Sequence, residues 1–365
     1  MSGSGWRSSS RTSHPLGFRG TSPLFGGGAR GPRADSRARP NRTGTRKTLA
    51  ASAWDALGPR GAVPETRETP MGHTPVLESE VPRFLVWDAD GLYVDGTVGC
   101  GGHARGILRH LSASGRLWGF DWDADVLEIA RAALAGEEGR VRLFNESFSR
   151  IGERLAEEGA LAHGIFVDLG LNSAVLDQPS RGFQYADPTA PLDMRMDLSL
   201  SRTAGDLLRD LEEEELITLL RELGEVRRPR AAARAIVRGR ERAPIETAGD
   251  LASILRRAGA LPGGPAELSR IFQALRMRVN RELEEIDSLL RHASDWLVPG
   301  GRLLVIAYES LSDRRVKQLH RKEPGADREP RFRMLTKKVV RPGRDEVLGN
   351  ARARSARLRA LERKD

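Results

Sequence analysis

Four stretches of this sequence combine residue types that chemistry needs. The first is Asp95-Gly96-Thr97-Val98-Gly99-Cys100-Gly101-Gly102-His103. Glycines after a short apolar run let the backbone approach a ligand and take up positive φ. A helix starting there offers unpaired N–H groups and a positive dipole end. The second is Asp121, which closes the run Arg116-Leu117-Trp118-Gly119-Phe120-Asp121. An acid about 20 residues beyond the glycines can accept both ribose hydroxyls of an adenosine-containing cofactor. A dinucleotide loop reads G-x-G-x-x-G, whereas this loop is led by Asp95, which repels a pyrophosphate yet can accept from an ammonium. The pattern suits S-adenosylmethionine, with its ammonium and carboxylate, better than NAD. The third is Asp168-Leu169-Gly170-Leu171-Asn172-Ser173, an acid ending an apolar run where open α/β sheets bind ligands. It can hold an amine or a base edge, and an ordinary Asx turn explains it equally well. The fourth is Arg181-Gly182-Phe183 followed by Pro191-Leu192-Asp193-Met194-Arg195-Met196-Asp197. An arginine and an aromatic beside a site can stack a flipped base; a plain salt bridge is the competing reading.

The elements that must position these residues follow from periodicity. Leu92–Asp95, Arg116–Asp121, Val141–Phe144 and Gly164–Asp168 read as strands. Ala104–Leu111 and Asp125–Leu134 have helical spacing between them. Strands alternating with helices imply a parallel α/β sheet. Residues 178–268 are charged and strand-poor, with acids at Glu212–Glu215 and arginines from Arg227 to Arg242, and read as an inserted helical domain. Glu282–Trp296 is an amphipathic helix, Pro299-Gly300-Gly301 a turn, and Arg302–Tyr308 an apolar strand. The expected organisation is a 1–70 extension, a first part of an α/β domain at 71–177, the helical insert at 178–268, a second α/β part at 269–320, and a basic C-terminal segment at 321–365.

Composition narrows the classes. Of 365 residues, 39% are hydrophobic, and the net charge is +9. The charge is unevenly spread: residues 1–70 hold 12 Lys/Arg against 4 Asp/Glu, residues 314–365 hold 18 against 7, and the body holds 29 against 39. Basic ends can grip phosphate backbones, or simply be solvated. Here Arg352 and Arg354, within Asn350-Ala351-Arg352-Ala353-Arg354-Ser355, are the candidate phosphate contacts. The single cysteine excludes a disulfide framework and a Cys-based zinc site, fits a reducing compartment, and leaves no metal site to expect. No run approaches ~18 apolar residues, so no membrane span is expected. Residues 1–70, rich in Arg, Ser, Gly and Pro, are expected to be disordered. Their acid-poor start is similar to an organellar transit peptide, which would make the protein mitochondrial. Initiation at Met71 would instead remove the whole tail, and the expected location is then cytoplasmic.

Taken in order, the motifs resemble the bacterial small-subunit (16S) ribosomal RNA cytosine-N4 methyltransferase family, RsmH or MraW. The resemblance rests on His73-Thr74-Pro75-Val76-Leu77, Asp95-Gly96-Thr97 through Gly101-Gly102-His103, Asp168-Leu169-Gly170, Arg181-Gly182-Phe183 and Pro191 through Asp197. It continues through Phe272-Gln273-Ala274-Leu275-Arg276, Val279-Asn280, Glu282-Leu283, Pro299-Gly300-Gly301-Arg302-Leu303 and Arg352-Ala353-Arg354-Ser355, and so covers residues 73–361. It implies a Rossmann-like class I methyltransferase domain interrupted by a helical substrate domain. The implied reaction moves a methyl group from S-adenosylmethionine to the exocyclic amine of a cytidine in the decoding region, on ribosomal RNA or an assembled small subunit. The implied cofactor contacts are Gly101, Gly102, His103, Asp121, Phe148 and Asp168, with Val175 where the family carries Gln. Asp168, helped by Asn172, is the expected catalytic acceptor. Arg181, Phe183, Asp193, Arg195, Arg352 and Arg354 are the expected substrate contacts. Besides Val175, the chain departs from the family pattern in four places. Ser-Phe-His-Ser-Leu-Glu-Asp-Arg is replaced by Ala307-Tyr308-Glu309-Ser310-Leu311-Ser312-Asp313-Arg314, a Ser by Asn172, Gly-Glu-Glu by Gly224-Glu225-Val226, and a Pro by Ala351. The Glu309 and Val175 changes motivate an alternative: a weakened paralogue that binds ribosomal RNA as an assembly factor.

Overall fold

Short, almost wholly apolar runs such as Leu92-Tyr93-Val94 and Ile165-Phe166-Val167 suit strands buried on both faces, as in a parallel sheet. The structure, a computed structural model, describes residues 75–365 except 172, 177, 320 and 322–329. The expectations for residues 1–70 and for Asn172 fall outside the described residues. Seven strands form one sheet: β1 (Leu92–Asp95), β2 (Arg116–Phe120), β3 (Val141–Phe144), β4 (Ala162–Asp168), β5 (Leu297–Ala307), β6 (Phe332–Met334) and β7 (Arg357–Arg363). Their order is β3-β2-β1-β4-β5-β7-β6. β1 to β5 are mutually parallel and β7 runs antiparallel to both β5 and β6. This is a Rossmann-like sheet with its last hairpin folded back into the edge.

Thirteen helices surround and interrupt it: α1 (Glu80–Leu85), α2 (Gly102–Leu108), α3 (Ala124–Ala133), α4 (Ile151–Glu157), α5 (Ser173–Leu176), α6 (Ala204–Asp210), α7 (Glu213–Glu222), α8 (Pro229–Arg240), α9 (Ala248–Arg257), α10 (Pro265–Val279), α11 (Glu282–Trp296), α12 (Ser310–Gln318) and α13 (Arg344–Gly349) among the described residues. On one face of the sheet, Val81, Leu85, Ile107, Leu127 and Ala130 of α1 to α3 pack with Tyr93, Leu117, Phe166 and Leu304. On the other, Ile151, Leu155, Ile286, Leu289 and Val316 of α4, α11 and α12 pack with Val94, Phe120, Ile165 and Val305. A third apolar cluster is built mainly from α6 to α10, joined by Val126 of α3, Val175 of α5 and Phe183, Leu192 and Met194 of the segment before α6. Capping boxes start three of these helices, Thr203 with Asp206 for α6, Glu212 with Glu215 for α7 and Thr247 with Asp250 for α9.

The structure differs from the sequence reading in three places. The helical cluster does not stop at residue 268: Ile271, Phe272, Leu275 and Val279 of α10 belong to it. The turn at Pro299–Gly301 is absorbed into β5 as a bulge, because pairing steps from Ala162–Leu297 to Gly164–Arg302. The basic C-terminal segment supplies β6 and β7, with Leu358, Ala360 and Leu361 fully buried. The alternation of Arg with apolar residues in Arg357-Leu358-Arg359-Ala360 is a strand period rather than a tail, and Arg359 closes a bidentate pair with Asp313 of α12 at 2.7 and 3.0 Å.

Candidate active site

β1 has β2 on one side and β4 on the other, so the chain direction of the sheet order reverses at β1 and β4. Crevices for ligands open at the carboxyl ends of such strands. Asp95 ends β1 and Asp168 ends β4. Asp95 pairs in register with Gly119 and Phe166, so Asp121 and Asp168, each two residues further along, lie just above it. Three carboxylates therefore converge on one rim.

The glycine loop is pinned across that rim. Gly96 N–H donates to the Phe166 carbonyl at 2.8 Å, and Val98 N–H to that of Phe120 at 2.8 Å. Gly99 N–H donates to Asp121 Oδ2 at 3.0 Å. Gly101 precedes α2 at φ 83°, a conformation that any side chain would strain. Gly102 and His103 open α2, and the His103 ring meets Phe166 edge-on with centroids 4.8 Å apart. His103 Nε2 stands 4.0 Å from Asp168 Oδ2. Phe148 is buried beside this floor and its ring meets Trp122 at 6.2 Å. Asn145 holds the Asp121–Trp122 turn by donating to both of its carbonyls, at 3.1 and 2.9 Å.

The electrostatics of the rim are unusual. Asp95 is fully buried, accepts from Thr97 N–H at 3.1 Å, and leaves Oδ2 without a partner. Burial, with Asp168 and Asp121 nearby, raises its pKa to about 8. Asp168 is fixed through its main chain, its N–H donating to Thr97 Oγ1 at 2.6 Å. Its Oδ2 accepts from the Tyr308 hydroxyl at 3.3 Å, while Oδ1 is buried and unpartnered. Burial raises Asp168 to about 7 and Asp121 to about 6. Orphaned carboxylate oxygens beside a glycine cradle are what a cationic ligand compensates. The ammonium and sulfonium of S-adenosylmethionine fit this donor set. Asp121, above the loop, fits its ribose, and Gly101, Gly102, His103 and Phe148 surround the same crevice. No cluster of potential metal ligands occurs among the described residues.

Several residues read from the sequence as ligand contacts have other roles here. Arg181 is buried: its Nη1 donates to Asp123 Oδ2 at 2.7 Å and its Nη2 to the carbonyls of Arg195 and Met196 at 3.1 and 2.8 Å. Both of its Nη atoms bond within the protein while Nε is buried without a partner, so it ties the insert to the α3 cap. Phe183 packs in the helical cluster and has no free face for a base. Val175 is buried in the same cluster and offers a cofactor no polar atom. Asp193 and Arg195 pair bidentately at 2.8 and 2.9 Å, and Arg195 Nη1 also donates to the carbonyls of Leu198 and Leu200. The Pro191–Asp197 run is thus a self-bonded loop. Arg352 and Arg354 are exposed on the turn before β7.

The sequence reading gave no role to the partners that hold this arrangement. Asp123 caps α3 by accepting from Asp125 and Val126 N–H while pairing with Arg181. Asn280 is buried, accepts from Met196 N–H at 2.7 Å, and donates to the carbonyls of Met194 and Arg276, each at 2.8 Å. Arg276 and Glu282 form a bidentate pair at 2.7 and 2.8 Å across the α10–α11 corner. The N-cap position of Asp123 was legible locally. Its pairing with a residue 58 positions away was not.

Comparisons with known proteins place the chain in a family. The family model described as "MraW methylase family" matches residues 70–364. A protein of Xanthobacter autotrophicus called ribosomal RNA small subunit methyltransferase H is 42% identical over 308 residues, covering 80% of this chain and 88% of the relative. Proteins with the same name from Granulibacter bethesdensis and a Geobacter species are 41% and 40% identical, covering 91% and 98% of their own lengths and 80% of this chain. With a matching model over nearly the whole described region and relatives 40–42% identical, the chain belongs to the MraW methylase family and is an S-adenosylmethionine-dependent methyltransferase on a Rossmann-like fold.

Proposed function

We propose that this chain methylates the exocyclic N4 amine of a cytidine in the decoding region of small-subunit (16S) ribosomal RNA. The observation that carries the reading is Asp168 Oδ1, a buried carboxylate oxygen without a partner at the rim where the cofactor binds. When bound, S-adenosylmethionine supplies a methyl group on a sulfonium, a strong electrophile. A cytosine amine is a poor nucleophile because its lone pair is delocalised into the ring. An acceptor aimed at its N–H hydrogens favours the pyramidal geometry in which that lone pair is released. Asp168 is that acceptor in this reading, with Asn172 assisting. Asp95 and Asp121 hold the cationic and ribose ends of the cofactor. The amine proton leaves after transfer, so positioning at ~3–3.5 Å carries most of the work and no strong base is required.

Charge supports an RNA substrate. The outer face of α8 and the turn before it present Arg227, Arg228, Arg230, Arg234 and Arg238 to solvent, and Arg352 and Arg354 are exposed before β7. Clustered guanidinium groups suit a phosphate backbone. The relatives' printed name supports the small ribosomal subunit as the source of that RNA. The test is transfer of tritiated methyl groups to small subunits lacking the modification, followed by nucleoside mass spectrometry. N4-methylcytidine is the expected product. Cofactor binding by calorimetry with no labelled cytidine would favour the assembly-factor alternative.

A further inference from the structure

Asp168 has two oxygens in different situations. Oδ2 faces Tyr308 Oη at 3.3 Å and His103 Nε2 at 4.0 Å, whereas Oδ1 is buried with no partner. The main chain on both sides is already fixed: Asp168 N–H donates to Thr97 Oγ1, and Leu169 N–H to the Ile306 carbonyl at 2.9 Å. The freedom left is rotation of the carboxylate, which the Tyr308 hydroxyl opposes together with the Gly170 N–H. Tyr308 is itself held in place. It directly follows β5, packs against the apolar cluster on one face of the sheet, and its ring covers Gly170. A Cβ at Gly170 would lie 2.7 Å from that ring, so only glycine leaves room for it.

We propose that Tyr308 is the positioning residue of Asp168, its hydroxyl pinning Oδ2 so that Oδ1 is the oxygen presented to the substrate amine. This rests on the reading of Asp168 given above. The bond is long for O–H···O, and such bonds in ligand-free sites tighten in the reactive complex. The charged and titratable groups facing Asp168 are Asp95 from β1, His103 from α2, and Tyr308 and Glu309 from the end of β5. Burial raises the Asp168 carboxyl most and Glu309 adds to the rise by repulsion, while the Tyr308 hydroxyl and the Gly170 N–H oppose it, so the hydroxyl favours the ionised form.

The test uses Tyr308→Phe and Gly170→Ala, which remove or displace the hydroxyl in different ways, with circular dichroism to verify folding. Titration of the 13C-labelled Asp168 carboxyl by NMR in the ligand-free full chain should move up by about half a unit to one unit in both variants. The acid limb of the pH–rate profile for methyl transfer should move up equally, with transfer at pH 7 down about threefold to tenfold and largely restored at pH 9. In an Asp168→Asn background, Tyr308→Phe should add nothing. An unmoved titration overturns the pinning, and so does a loss of rate that is uniform across pH, which is what a merely structural defect produces. If Asp168→Asn transfers methyl groups normally, the Asp168 reading fails and this role fails with it. If the wild-type chain methylates no cytidine, the function above fails, while the NMR titration still decides whether Tyr308 holds the carboxylate.

Discussion

At the residue scale the site is three carboxylates that folding places too close together for water to compensate. All three have native pKa values above the unfolded carboxylate value, with Asp95 highest. A raised value means that the native state holds protons the unfolded chain has lost. The stabilisation this gives is complete below about pH 4 and is lost as pH rises through about 6 to 8. Ligand-free protein should therefore show a falling melting temperature between pH 5.5 and 8.5. Asp95→Asn should flatten that slope, and the gain on adding S-adenosylmethionine should grow with pH because its cationic groups offset the ionised acids; scanning fluorimetry across pH measures both. Asp168→Ala should lower methyl transfer by about 10²–10³-fold, read in single turnovers with saturating cofactor, while circular dichroism stays unchanged.

At the element scale, Arg181 and the Asp193–Arg195 pair, expected from the sequence as substrate contacts, make bonds within the protein. Arg181 joins the insert to the N-terminus of α3 through a buried pair with Asp123. Removing one member of a buried pair leaves the other charged and unsolvated, at a cost of about 3–5 kcal/mol. Arg181→Ala should shift the urea midpoint accordingly. Adding Asp123→Ala should cost less than the sum of the two single changes, since the stranded carboxylate is then gone. Asn280 acts in the same way from the end of α10, spending its amide on the Met194–Met196 loop. The loop needs the help, because Met194 sits at φ 61°, a strained value for a residue with a side chain.

At the scale of the whole molecule, the C-terminus completes the sheet. β7 pairs with β5 from Arg302–Glu362 to Ala307–Arg357 and carries β6 on its other edge. Ending the chain at residue 350 would expose the full hydrogen-bonding edge of β5 and the apolar surface covered by Leu358, Ala360 and Leu361. Such a truncation should be insoluble or unfolded by circular dichroism and size-exclusion chromatography. A soluble, cooperatively melting product would show that the segment is dispensable. None of the helices among the described residues is long and apolar enough to cross a membrane.

The sequence by itself determined the features with local causes. The boundaries of β1, β3 and α11 were legible because apolar runs and helical periodicity are set by near neighbours. The glycine loop and its three acids were legible because a strand, a turn and an acid at fixed spacing recur wherever a sheet binds an adenosine cofactor. Tertiary structure alone decided which charges face a ligand and which face each other. Arg181 and Arg195 look alike in sequence to an arginine that binds RNA, and only the positions of Asp123 and Asp193 with the nearby carbonyls show which internal partners their guanidinium groups bond. Likewise a stretch with 18 basic residues reads as a tail until its alternate side chains are seen to be buried against β5. Charge and period are written along the chain, but a partner many residues away is supplied only by the fold.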